Sequence, residues 1–172
     1  MKLSDDDFTL LGLPAAQALD RAQLDERWRA LQAEVHPDRF AAQGAAAQRV
    51  AMQWSVRVNE AYRRLKDPLA RAAYLCERRG APIDAERNTA MPREFLMQQM
   101  AWREGLDEAQ DAPALNALHG QLERDEQALL QRLQQALDAK HDATTAAAQV
   151  RALMFLRRFR GDLERRLDAL DA

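Results

Sequence analysis

The chain has 172 residues, 47% of them hydrophobic and 30% charged, with 25 basic against 27 acidic side chains. That length supports one ordinary domain or two small ones, and an apolar content this high with a net charge of -2 excludes a disordered tail. Alanine (34) and leucine (24) so outnumber valine, isoleucine and threonine (5, 1 and 4) that a substantial sheet is excluded and an all-α fold is expected.

The first strong apolar period runs from Asp20 to Val35. Leu24, Trp28, Leu31 and Val35 fall on one helical stripe. Asp20 is placed to cap it, and Pro37 ends it by disfavouring helical geometry at His36. A short helix around Phe8–Leu11 precedes it, stopped by Gly12 and Pro14. A long helix is expected from about Ala41 to Leu65, with Trp54, Val58, Ala61, Tyr62 and Leu65 inside. Asp67-Pro68 then starts a fourth helix, which ends near Gly80. Its single cysteine, Cys76, excludes an intramolecular disulfide and a cysteine-cluster metal site, and is expected to be a buried helical thiol.

Residues 81–91 show no helical period and read as a linker between a unit of residues 1–80 and a second of 92–172. Three helical stretches follow, at about 92–109, 113–139 and 143–170, whose leucine spacings suit an antiparallel three-helix bundle. Charge divides at the same place. Residues 1–80 carry 13 basic and 11 acidic side chains, and 81–172 carry 12 and 16. The opening Met-Lys-Leu-Ser-Asp-Asp-Asp lacks the apolar core of a signal peptide, and no stretch approaches the roughly 18 apolar residues of a membrane span, so a reducing cytoplasm without a membrane partner is expected.

Between the two long amino-terminal helices lies His36-Pro37-Asp38, followed by Arg39-Phe40. Pro37 stiffens the turn and leaves an imidazole and a carboxylate at its tip, well placed for contact. Taken alone, the tripeptide reads first as a plain helix connection in which Asp38 caps the next helix. Together with Val58-Asn59-Glu60-Ala61-Tyr62-Arg63-Arg64-Leu65 and Lys66-Asp67-Pro68, however, it resembles the J-domain, the module with which J-proteins stimulate DnaK-type chaperone ATPases. The resemblance spans residues 4 to about 78. It implies that His36, Pro37 and Asp38 contact the chaperone, and that the protein catalyses nothing itself.

J-domains often have tyrosine where this chain has Val35, and they usually present a basic second helix. Here residues 20–35 hold Arg21, Arg27 and Arg29 against Asp20, Asp25, Glu26 and Glu34. The positive surface is therefore expected from Arg27, Arg29 and Arg39, or from Arg49, Arg57, Arg63 and Arg64. This weakens general electrostatic steering and points to a dedicated chaperone. Neither a Gly/Phe-rich segment nor a cysteine-rich zinc module follows.

The helix starting at Pro92 has two apolar faces. Phe95, Gln99, Trp102 and Leu106 cluster within about 60° and suit a bundle core. Leu96, Met97 and Met100 lie on the other side, rimmed by Glu104 and Glu108, as an adaptable protein-binding surface would be. Phe155, roughly 100° off the last helix's core stripe, has the same character. Packing against the first unit is the alternative use for all of them.

From Phe8-Thr9-Leu10 through Arg71-Ala72-Ala73-Tyr74-Leu75 to Glu94-Phe95-Leu96-Met97-Gln98-Gln99 and Phe155-Leu156, the whole chain is similar to the HscB family, J-proteins of iron–sulfur cluster assembly. That resemblance implies that the bundle binds the scaffold IscU and the J-domain engages the specialised chaperone HscA. It carries the scaffold-binding patch onto Leu96, Met97, Met100, Glu104, Glu108 and Phe155. Ala101 stands at a position where the family has an acidic residue. No cofactor or resident metal is implied, and a monomer needs the fewest assumptions.

An enzyme is disfavoured. His36, His119 and His141 are scattered without metal-ligand spacing, and no phosphate-binding glycine loop is present. Arg63-Arg64 and Arg157-Arg158 read as solvated helix faces rather than nucleic-acid contacts. A J-protein delivering another client, or a helical scaffold whose His36-Pro37-Asp38 has lost its role, is the remaining alternative.

Overall fold

The structure is a computed structural model that describes residues 2–170. Every regular element among them is helical. The helices are α1 Asp7–Leu11, α2 Arg21–Val35, a 3-10 helix Pro37–Gln43, α3 Ala45–Lys66, α4 Pro68–Arg78, α5 Arg93–Glu108, α6 Ala112–Gln134 with a π-helical turn at Gln135–Ala139, and α7 Ala143–Leu170. They form two compact units divided between Leu75 and Cys76. The sequence reading divided the chain at Gly80.

In the first unit, α2 and α3 run antiparallel. Arg21 reaches Tyr62, Trp28 reaches Asn59, and Gln32 reaches Ser55, a pairing that rises along one helix as it falls along the other. The seam is apolar at Leu24, Val35, Ala51, Val58, Ala61 and Leu65. It is polar along one edge, where the Trp28 indole and Gln32 amide both donate to the Asn59 side-chain oxygen, at 2.9 and 2.6 Å. Trp28 also stacks on Tyr62 with ring centroids 4.6 Å apart. Such directional contacts define a register that leucine packing alone leaves loose.

The long helix begins at Ala45 rather than about Ala41. Residues 37–43 wind instead as a 3-10 helix, and Gly44 at φ 92° re-aims the chain, a conformation that side-chain-bearing residues rarely adopt.

Asp7 is fully buried and clamps α1 onto α3. Its carboxylate lies 2.7 Å from both Arg57 and Arg64, and its backbone N–H donates to the Tyr74 hydroxyl. Arg57 simultaneously donates to the carbonyls of Leu3 and Asp5, so it ties down the start of the chain.

The second unit is an up-down-up bundle. Trp102 donates to Asp125 and His119 meets Glu164, which makes α6 antiparallel to its neighbours. Phe95 meets Phe155 and Trp102 meets Phe159, which makes α5 parallel to α7. The core is Phe95, Trp102, Leu115, Leu122, Leu129, Leu133, Leu153, Leu156 and Leu163. Glu126 is buried in the α6–α7 seam and pairs with Arg157, at 2.9 Å, and with Arg160.

Residues 79–92 have no regular helix, as expected, but they are held to the bundle. Ile83 is buried, and Arg151 donates to the carbonyls of Ala90 and Ile83 at 2.7 and 3.1 Å. Cys76 is buried too, and burial pushes its thiol up to about 11, which makes it a packing residue rather than a nucleophile.

Removing one partner from a buried ion cluster leaves the others uncompensated. Asp7→Ala is therefore expected to cost about 3 kcal/mol, the low end for a broken buried ion pair because Arg64 is partly solvated. It should show as accelerated hydrogen exchange across Phe8–Leu11.

Candidate functional site

The corner between α2 and α3 begins at His36, held in extended geometry (φ -60°, ψ 127°) by the proline that follows. Its Nδ1 accepts the Asp38 backbone N–H at 3.3 Å, capping the 3-10 helix. The Asp38 carboxylate lies 3.6 Å from that same nitrogen. A neutral imidazole accepting at Nδ1 carries its proton on Nε2, which leaves one N–H donor available to a partner. Both side chains are exposed. Asp38 is thus not the cap of α3; the histidine ring serves the intervening turn instead.

The basic residues around this corner divide into occupied and unoccupied. Arg39 donates to the Ala33 carbonyl at 2.9 Å, satisfying a group at the end of α2 that the helix itself cannot. Arg57 and Arg64, offered by the sequence as surface charge, are consumed by Asp7. Arg21 is tied to Asp25 and Tyr62, and the Tyr62 hydroxyl holds the Asp25 carboxyl below its ordinary range. Arg27, Arg29, Arg49 and Arg63 remain exposed.

Beside the corner lies an apolar groove of about 420 Å³ lined by residues that include Val35, Phe40, Val50 and Trp54. Sequence reasoning missed it, because its walls come from α2, the 3-10 helix and α3, which only the fold brings together.

On α5 the two-faced reading corresponds to two environments. Phe95 and Trp102 are buried, while Leu96, Met97 and Met100 are 49%, 70% and 72% exposed. At helical spacing Leu96, Met100 and Arg103 form one stripe, and Met97, Ala101, Glu104 and Glu108 form the next. The Arg103 guanidinium lies 6.0 Å from the Phe155 ring centroid, which turns the first stripe toward α7 and the acidic one away. Ala101, Glu104 and Glu108 are all exposed.

Phe155 is half-buried, edge-on to Phe95 at 6.0 Å and stacked on Phe159 at 6.4 Å. Its own bundle therefore covers one side of it and leaves the other open. Sequence reasoning missed its neighbours Met154 and Met91. Met154 is 39% exposed, and Met91 accepts from the Gln99 amide. Met91 was hidden in a stretch without period.

Among the described residues no group of three or more His, Cys, Asp and Glu side chains is placed to hold a metal, and no helix is long and apolar enough to cross a membrane. His119 lies between Glu123 and Glu164 at 3.8 and 3.2 Å on a helix surface, within hydrogen-bond reach of Glu164.

Residues 91–164 match the family described as the HSCB C-terminal oligomerisation domain. A "Co-chaperone protein HscB homolog" of Bordetella parapertussis is 50% identical over 161 residues, covering 93% of this chain and 95% of that protein. The homolog of Burkholderia multivorans is 49% identical over 174 residues, 99% of each. Among solved structures, chaperone HscB from Vibrio cholerae superimposes with a TM-score of 0.79 at 35% identity, covering 96% of this chain and 99% of that one. The human co-chaperone protein HscB shares the fold, with a TM-score of 0.86 at 24% identity over 96% of this chain and 84% of its own.

Because nothing in the bundle covers Met97 or Met100, Met97→Gln and Met100→Gln should each leave stability within about 0.5 kcal/mol of the parent. Thermal unfolding followed by circular dichroism checks this, and a larger loss would show that the side chains hold the fold together.

Proposed function

The chain belongs to the HscB family of co-chaperones, and from that premise we propose that it joins an iron–sulfur scaffold, IscU, to the DnaK-type chaperone HscA. The carboxy-terminal bundle holds the scaffold through Leu96, Met97, Met100, Ala101, Glu104, Glu108 and Phe155. The amino-terminal unit presents His36, Pro37 and Asp38, with Arg27, Arg29 and Arg39 beside them, to the chaperone and triggers ATP hydrolysis there. The chaperone then grips the scaffold and favours release of its cluster to acceptor proteins.

The observation that carries this reading is the side-by-side exposure of Leu96, Met97 and Met100 on a helix whose other face is a packed core. Burying an apolar side chain of this size is worth about 1.5–3 kcal/mol, so three together form a strong anchor for a protein partner. The acidic stripe beside them favours a basic complement on that partner. In the first unit, a stiff corner presents an imidazole and a carboxylate outward, which suits contact with another protein.

Two variants separate the two roles. His36→Gln should abolish stimulation of the HscA ATPase, measured as steady-state phosphate release, while calorimetric titration of IscU stays unchanged. Unaltered stimulation would sink the chaperone assignment.

Leu96→Ala combined with Phe155→Ala should weaken IscU binding by a few kcal/mol, about what paired interface anchors contribute, and leave scaffold-free ATPase stimulation intact. A second reading rests on the description of the matched family as an oligomerisation domain. If the double variant loses self-association in sedimentation while titrating IscU normally, the surface belongs to a second copy of the chain.

A further inference from the structure

Six arginines lie on α7, and five of them are bonded within the molecule. Arg151 holds the carbonyls of Ala90 and Ile83. Arg157 and Arg160 hold Glu126, Arg165 holds Asp162, and Arg166 holds the carbonyls of Leu106 and Ala109. Arg158 alone is exposed without a hydrogen bond or ion pair to any described residue.

Its position gives that vacancy meaning. Arg158 lines a groove of about 210 Å³ together with Met91, Met154 and Phe155. Across the same phenylalanine, Arg103 of α5 sits 6.0 Å from the ring centroid, and it too makes no ion pair among the described residues. One guanidinium thus lies over the ring and a second lines the groove beside it, neither in an ion pair with a described residue, with exposed Met154 in the same groove. Carboxylates are the natural complement of such a pair, since guanidinium donors match them in a planar, two-pronged geometry.

Resting on the scaffold-binding reading above, we infer that the scaffold surface extends past α5 into this groove, and that Arg158 and Arg103 receive a carboxylate-bearing segment of the scaffold whose apolar neighbour seats on Phe155 and Met154. The docking surface is bipolar. Its acidic pole, Glu104 and Glu108, lies on the stripe turned away from α7, and its basic pole, Arg103 of α5 and Arg158 of α7, lies on the side where the two helices meet. A partner must carry the opposite pair of charges in the same order, which sets its orientation as well as its identity. The exposed methionines between the poles adapt to the partner's shape. With Ala101 interrupting the acidic stripe, the basic pole takes a larger share of the discrimination.

The test is calorimetric titration of purified IscU into the full chain and its variants at low and high salt. Arg158→Glu should weaken binding about tenfold and flatten its salt dependence, because a charge contact at the rim is lost and reversed. Arg165→Glu, a reversal on the same helix away from the groove, should change binding less than twofold. Circular dichroism of the variants should match the parent.

If Arg158→Glu binds like the parent while Leu96→Ala with Phe155→Ala fails to bind, the basic pole is overturned and the scaffold site stands. If Arg165→Glu weakens binding as much as Arg158→Glu, the effect is general charge and the groove is overturned. If neither Arg158→Glu nor the Leu96/Phe155 variant changes the titration, the scaffold site itself fails, and this inference falls with it.

Discussion

Pro37 cannot donate a backbone hydrogen bond, and its ring pushes the preceding residue out of helical geometry. At His36 that leaves an extended backbone at the end of fifteen helical residues. Much of the first unit follows from this one steric fact. Helix α2 stops there and a tight 3-10 turn follows, in which the imidazole takes over as a cap. Gly44 redirects the chain so that α3 can return along α2. The return is fastened at several heights by Asn59, Ser55 and Tyr62. A corner braced by two long helices holds its side chains outward at low entropic cost, which is what a contact surface for another protein requires.

The second unit meets a different constraint. Three helices can enclose only one face of each, and α5 is apolar on two. Its enclosed face is anchored by aromatic contacts of Phe95 and Trp102 with Phe155 and Phe159, and by an indole hydrogen bond to Asp125. The rest of the bundle is secured by arginines that bridge to carboxylates or to carbonyls. Glu126 receives two of them, and the coil before α5 is pinned by Arg151. Leu96, Met97 and Met100 stay outside that core, with about half or more of each side chain exposed. Their exposure is the observation on which the proposed scaffold contact rests.

Both units show how charge counted along a sequence misleads when partners are unknown. Thirteen basic residues in the first eighty suggest a positive surface. Yet Arg57 and Arg64 meet over buried Asp7, and Arg39 turns back to the Ala33 carbonyl. In α7 the balance is the reverse. Arg157-Arg158 looks like a uniform pair, but one member is an internal strut and the other faces a groove.

Local rules of the sequence were enough for the helical class, the helix order and most boundaries. Periodicity identified Leu24, Val58 and Leu65 as core, Pro37 and Asp67-Pro68 punctuated the chain, and α5 declared its two faces through spacing alone. The corner and the Leu96, Met97 and Met100 patch were legible for the same reason, since both depend on residues close together in the chain. Long-range pairing was not legible. Nothing in the order of residues says that Asp7 meets Arg57, that Ile83 is buried under Arg151, or that Arg103 reaches the Phe155 ring. Those contacts span tens of residues, and the chain acquires them only when packed helices bring them within a few ångströms. Which face of a helix is a core, which arginine is a fastener and which is left over are settled by three-dimensional neighbours, because burial and ion pairing depend on distance through space rather than along the chain.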